Sequence, residues 1–286
     1  MSDFVTLFEM APRDGLQNEK AMIATADKIK LVDLLSQAGL RKIETASFVS
    51  PKWVPQMADS ADVMAGITRV DGVRYTALTP NMKGLEAAID AKADEVAIFG
   101  SASEGFSQKN INCSIAESLE RFASVVEAAR KANIPVRGYV SCVTDCPYDG
   151  RTPPEQVARV AADLIELGCY EVSLGDTIGQ GTSETVDAML RAVTERVPAE
   201  RLAGHFHDTA GRAIDNIRVS VGHGLRVFDA AVGGLGGCPY APGAKGNVAT
   251  EAVFDMLTAE GFETGLDRDA MMVAAEFARS LRGDTV

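Results

Sequence analysis

Leu202-Ala203-Gly204-His205-Phe206-His207 reads as a strand, and the stretch after it, 208–222, has the apolar spacing of a helix. That pair of readings is the repeating unit of the chain. Working outward, strand-like runs lie at 5–9, 42–45, 73–78, 95–99, 136–140, 171–174 and 227–231, which with 202–207 makes eight. Amphipathic stretches at 25–37, 81–91, 114–132, 153–167 and 183–196 fall between them. Pro153-Pro154 opens one of these helices and Gly168 closes it, while Gly39 follows the last turn of the first. Eight strands alternating with helices over roughly 250 residues is the pattern of an α/β protein of the (β/α)8 TIM barrel class. The remaining segment, 247–282, reads as additional C-terminal helices that close or cap the barrel. The expectation is therefore one domain over 1–286, with the barrel at 4–246. A doubly wound open sheet is the structural alternative, but no glycine-rich dinucleotide turn follows the first strand.

The opening strand also carries chemistry. Only three histidines occur in 286 residues, and two of them are His205 and His207. Successive side chains on a strand point to opposite faces, so these two share a face while Phe206 turns away into apolar packing. Two imidazoles on one face make half a metal site; the alternative is a pair of ordinary polar residues at a strand end. The third, His223, lies between a helix and a strand at the other end of the barrel and reads as structural.

Composition narrows the function. Hydrophobic residues make up 46% and charged residues 24%, which is globular rather than disordered. The net charge of -12 comes from dispersed acidic residues, which argues against nucleic acid or an anionic membrane as partner while leaving room for an anionic substrate in a local basic pocket. No apolar run approaches a membrane-spanning length, and the first residues show neither a secretory signal nor a transit segment, so a cytoplasmic address is expected. Five cysteines read as free thiols rather than a disulfide framework. Cys142 and Cys146 are spaced as a metal-binding or oxidisable pair could be, but no second pair accompanies them, and the structural reading is favoured.

A barrel of this class places its active site at the C-terminal ends of the strands. Unusual polar residues do cluster there. The first strand ends near Arg13-Asp14-Gly15, the second carries Glu44, the sixth leads to Asp176, and the eighth runs into a loop at 233–247 with six glycines in fifteen residues. Asp14 is the natural oxygen ligand to complete a site with the two histidines. Nitrogen and oxygen donors without thiolate suit magnesium or manganese, and less exclusively cobalt or zinc. Arg13 stays cationic and could stabilise an enolate; a surface Arg-Asp pair is the plainer reading. Glu44 is either a base or a carboxylate paired with a neighbouring cation. Asp176 could orient a histidine or polarise a substrate hydroxyl. The glycines suit a loop that shuts over a substrate, with Cys238 on it as a proton donor or acceptor. Asn247 is a candidate oxygen ligand, yet Glu251 just beyond it makes a helix N-cap reading strong on its own.

FEMAPRDGLQNEK at 8–20, ETASFVSPKWVPQM at 44–57, SLGDTIG at 173–179, GHFHD at 204–208 and GGLGGCPYAPGAKGNVAT at 233–250 together resemble the 3-hydroxy-3-methylglutaryl-coenzyme A (HMG-CoA) lyase family. The likeness runs over about 5–257. The second and last stretches are highly specific, whereas R-D-G and H-x-H are shared across metal-dependent barrel lyases, aldolases and acyl transferases. The resemblance implies that Asp14, His205, His207 and Asn247 bind a divalent cation, Mg2+ or Mn2+. It implies that Arg13, Glu44, Asp176 and Cys238 take part in catalysis, with Asp176 or His205 assisting removal of the substrate hydroxyl proton, and that Gln17 lies near the substrate. An acyl-coenzyme A substrate and a homodimer are further implications. The chain lacks the long leader of the mitochondrial members and has no cysteine after Cys238, which points to a bacterial-type enzyme.

Within the same superfamily the rivals are a lyase for a longer 3-hydroxyacyl-coenzyme A, an aldolase for 4-hydroxy-2-oxo acids, and a condensing enzyme of the isopropylmalate synthase type. From another class, a non-catalytic barrel could bind metal or acyl-coenzyme A as a sensor. A binding module has no need of a thiol on a closing loop beside an arginine and an acid.

Overall fold

The computed structural model describes residues 4–236 and 246–282. Eight parallel strands close into a barrel: β1 (Thr6–Glu9), β2 (Lys42–Ser47), β3 (Arg74–Leu78), β4 (Glu95–Ser101), β5 (Val136–Ser141), β6 (Glu171–Asp176), β7 (Leu202–Phe206) and β8 (Val227–Ala230). They neighbour one another in sequence order, and β1 pairs with β8 to complete the ring. Helices run back between them: α1 (Thr25–Gln37), α2 (Ser60–Gly66), α3 (Met82–Asp90), α4 (Glu104–Ile111), α5 (Ile115–Lys131), α6 (Pro154–Leu167), α7 (Ser183–Thr194) and α8 (Ala213–Gly222). Two more, α9 (Thr250–Ala259) and α10 (Arg268–Leu281), follow the barrel, and α10 packs on α1.

The predicted strands are all present, four of them one or two residues longer at their C-terminal ends and two, β7 and β8, one residue shorter. β2, for example, continues to Ser47, which pairs with Leu78 of β3, while the Ser60 hydroxyl accepts from the Ser47 amide at 3.1 Å and donates to its carbonyl at 2.9 Å. The helix expected at 208–222 starts only at Ala213, leaving Asp208 to accept from the Ala213 amide at 3.3 Å. Helices α2 and α4 and a short hairpin pairing Asp145–Cys146 with Gly150–Arg151 were not apparent from periodicity, since each is too short to show it. Gly168 ends α6 with φ of +121°, a conformation that side chains other than glycine resist.

Period-two alternation divides the strand side chains between two cores. Outward residues such as Ile43, Val140, Val172, Leu174, Phe206 and Phe228 form the layer beneath the helices. Phe8, Met10, Leu78, Ala97 and Tyr139 fill a separate cluster inside the ring. The ring also encloses charge. Arg137 on β5 is fully buried, donates to Glu171 at 2.7 Å, and forks onto both oxygens of Asp229 on β8 at 2.8 and 3.0 Å. Its guanidinium also lies 4.5 Å from the Phe8 ring centre. Removing one member of such a buried pair strands the other, at a cost of about 3–5 kcal/mol.

Candidate metal centre

Three donors converge at the C-terminal mouth, where β1, β7 and β8 end side by side. Asp14, His205 and His207 each offer an atom within 4.8 Å of the others, as a group able to hold a metal ion. The two imidazoles reach the mouth as the strand reading requires, with Nε2 of His205 and Nε2 of His207 facing each other at 3.4 Å and Phe206 buried on the opposite side. Asp14 arrives from a single π-helical turn, Ala11–Gly15, that follows β1. A Cβ on Gly15 would lie 2.8 Å from Leu235 Cβ, so the R-D-G glycine lets this turn press against the segment leaving β8.

Asn247 reaches the same point and is not an N-cap. The cap of α9 is Ala249, because residues 247–249 run extended along the strand ends: Val248 donates to Phe206 O at 3.2 Å, and Ala249 bridges Ala231. This frees the Asn247 amide to donate to Asp14 Oδ2 at 2.8 Å. Gly236 leaves room for it, since a Cβ there would stand 2.7 Å from Asn247 Nδ2.

Electrostatics leave Asp14 ionised and His207 neutral, each with a lone pair to give. The Arg13 guanidinium, followed by both histidines, holds the Asp14 carboxyl well below the usual range despite burial. Burial, with His205 beside it, pushes His207 down to about 4, so its ring is neutral and has a lone pair to give at neutral pH. Burial also works against charge on His205, but the Asp229 carboxylate, 3.1 Å from Nδ1, more than offsets it and leaves the group raised. Two imidazole nitrogens, a carboxylate and an amide with no thiolate among them fit a hard or borderline divalent ion.

Beside these donors Arg13 donates to Glu44 Oε2 from Nε at 2.5 Å and to Asp14 Oδ1 at 2.7 Å. Burial disfavours its charge, but Glu44 and Asp14 outweigh that and raise it further. Glu44 therefore takes the ion-paired alternative, and also accepts from Tyr139 at 3.0 Å; burial keeps its carboxyl above the ordinary range. Gln17 is half-buried just past the π-turn. Asp176 does not orient a histidine. It accepts from Thr144 Oγ1 at 2.8 Å and the Gly181 amide at 2.9 Å, and burial raises it. The carboxylate on His205 is Asp229, which sequence reasoning missed along with Arg137, Ser173 and Tyr139. Their only signal was a polar or charged residue at an inward position of an otherwise apolar strand. Cys238 lies outside the described residues. His223 pairs with Asp187 at 2.8 Å, away from the mouth, and Cys113, Cys142, Cys146 and Cys169 are buried free thiols.

A family model described as HMGL-like matches residues 4–278. The chain belongs to the HMGL-like family. A Pseudomonas aeruginosa protein named 3-hydroxy-3-isohexenylglutaryl-CoA/hydroxy-methylglutaryl-CoA lyase is 60% identical over 272 residues, covering 95% of this chain and 91% of that one. A crystal structure of the HMG-CoA lyase from Brucella melitensis superposes with a TM-score of 0.97 at 64% identity, over 98% of this chain and 99% of the other. An HMG-CoA lyase from Acinetobacter baumannii, solved with coenzyme A and 3-methylmalate, superposes with a TM-score of 0.93 at 36% identity, over 99% and 92%. The HMGL-like match takes in every charged residue of the mouth described above. Among the described residues no helix is long and apolar enough to cross a membrane.

Proposed function

We propose that this chain cleaves (S)-3-hydroxy-3-methylglutaryl-coenzyme A to acetyl-coenzyme A and acetoacetate. The observation that carries the reading is the convergence of Asp14, His205 and His207 beside the buried Arg13–Glu44 pair, in a chain whose close relatives are named for this activity. The reaction removes the proton of the tertiary hydroxyl, breaks the bond between C2 and C3 with its electrons passing to the thioester as an enolate, and protonates that enolate. Asp14, His205, His207 and Asn247 would hold a divalent cation, Mg2+ or Mn2+, which would supply Lewis acidity to lower the pKa of the substrate hydroxyl.

This chain's own residues do the rest. Arg13, fixed in direction by Glu44, stabilises the charge that develops on the thioester oxygen as the bond breaks. Asp176, raised by burial, takes the hydroxyl proton, the role left to it because His205 has Nδ1 engaged by Asp229 and Nε2 facing the cation site. Cys238 returns a proton to the enolate carbon, and Gln17 lies against the substrate. One catalytic unit over 1–286, a homodimer and a cytoplasmic setting belong to the same reading; the buried free thiols suit a reducing compartment.

The test is acetoacetate release by the purified chain, stripped of metal and then given Mg2+ or Mn2+, with His207→Ala in parallel. Metal-dependent release that the substitution abolishes is expected. Because the name of the Pseudomonas relative couples two substituted glutaryl thioesters, 3-hydroxy-3-isohexenylglutaryl-CoA is the second substrate to offer. Cleavage of that thioester alone would move the assignment to a longer 3-hydroxyacyl-coenzyme A, and release from neither would overturn it.

A further inference from the structure

Asp229 sits at an inward position of β8, one strand from His205, and is fully enclosed. Its Oδ2 meets three groups: Arg137 at 3.0 Å, Ser173 Oγ at 2.7 Å and His205 Nδ1 at 3.1 Å; Oδ1 takes the second Arg137 nitrogen at 2.8 Å. An ionised carboxylate only accepts, so each of these partners has to donate. Arg137 donates in any state, and Ser173 has one proton to give. His205 is left with one arrangement: its proton on Nδ1. In the neutral ring the other nitrogen, Nε2, then carries the lone pair, and that is the atom facing His207 Nε2 in the group that includes Asp14.

We propose that Asp229 is a positioning residue that locks His205 in the Nδ1-protonated tautomer, with Arg137 and Ser173 fixing the carboxylate that does so. The fork from Arg137 on β5 and the hydroxyl from β6 hold Asp229 across the barrel interior, so neither oxygen can turn to accept elsewhere. The imidazole ring is aimed as well as protonated correctly. A carboxylate in this place also makes the opposite nitrogen a better donor to a divalent ion. The inference rests on reading Asp14, His205 and His207 as a cation site, and it names the part of the barrel that prepares one of those donors before any ion arrives.

Heteronuclear NMR of the imidazole nitrogens, on the unmodified chain without metal and at a pH where the rings are neutral, reads the tautomer directly. His205 should show a protonated Nδ1 and a lone-pair Nε2; a proton on Nε2 overturns the proposal. Mn2+ binding by calorimetry supplies the second readout. Asp229→Ala should weaken it by about 10–100-fold, while Asp187→Asn, which touches the other histidine pair, leaves it unchanged. An affinity within about twofold of the unmodified chain in a folded Asp229→Ala overturns the claim that Asp229 prepares the ligand. Should that variant not fold, the tautomer of the unmodified chain still decides. Failure of the unmodified chain to bind Mn2+ at all would instead strike at the cation reading, which the tautomer measurement does not depend on.

Discussion

Two histidine-aspartate pairs of similar length sit at different places in this barrel. His223 Nε2 lies 2.8 Å from Asp187, and His205 Nδ1 lies 3.1 Å from Asp229. Their surroundings differ far more than their distances. Asp187 is 36% exposed and shares its charge with Arg191 one turn along α7, whereas Asp229 is enclosed and gripped by Arg137 and Ser173 from two other strands. The surface pair exchanges one set of water contacts for another and can let go. The interior pair cannot, so it orients the ring. A histidine-carboxylate contact becomes useful to chemistry when the carboxylate has no second choice and the far nitrogen has a destination.

The sharpest way to break this comparison is to remove each ring in turn. His205→Gln takes a donor out of the mouth and is expected to lower turnover of HMG-CoA by more than about 100-fold at saturating Mg2+, while His223→Gln leaves it within about twofold. Steady-state kcat for both variants decides it. A comparable loss in the two would mean that the His223 end of the barrel matters to the reaction as much as the mouth does.

A second contrast sets two buried carboxylates against each other. Asp229 has a cation and is held at about 2, against burial, by Arg137 and then His205. Glu9, at the end of β1, has neutral hydrogen-bond partners among the described residues, the amides of Ala11 and Val232 and the Thr250 hydroxyl, and burial, with a small push from Glu251, raises it to about 7. In the unfolded chain Glu9 loses its proton near 4.5, so between about 4.5 and 7 the folded chain binds more protons than the unfolded one. Stability contributed by Glu9 is therefore full below that window and falls as pH rises through it, by about 3 kcal/mol, then stays flat. Asp229 has the opposite sign: its contribution is present at neutral pH and is lost only in acid. Glu9→Gln keeps an acceptor for both amides and cannot ionise. Denaturation midpoints followed across this pH range should show the fall in the unmodified chain and a flatter course in the variant; equal slopes would mean that Glu9 does not titrate there.

How much of this could be read beforehand depends on the range over which each signal acts. The strands and most helices were legible because periodicity is local, and His205 and His207 were legible because one residue between them fixes a shared face. Arg13, Asp14 and Glu44 were flagged by lying at strand ends in a barrel. Asp229 and Arg137 were not: they stand 92 residues apart, and only closure of the ring brings β5 and β8 into reach across its interior. Asn247 shows the reverse failure. Its local sequence favours an N-cap, but pairing of Val248 and Ala249 with the ends of β7 and β8 overrides that preference and turns the amide toward Asp14. The family resemblance placed Asn247 in the cation site where local propensity placed it on a helix.

The smallest expected effect is at the surface pair itself. Asp187→Asn keeps the side-chain shape and an oxygen facing His223, and removes a charge already shared with Arg191. An exposed ion pair gains little, because water screens it and two mobile side chains must be held still to make it. The variant should melt within a couple of degrees of the unmodified chain, with kcat and Mn2+ affinity unaltered. A clear loss of Mn2+ affinity would show that the α7–α8 edge transmits to the mouth and that enclosure is not what separates the two pairs. A change confined to melting would leave the distinction intact, since it would place the Asp187 contact in the packing of α7 against α8 and nowhere in the route to His205.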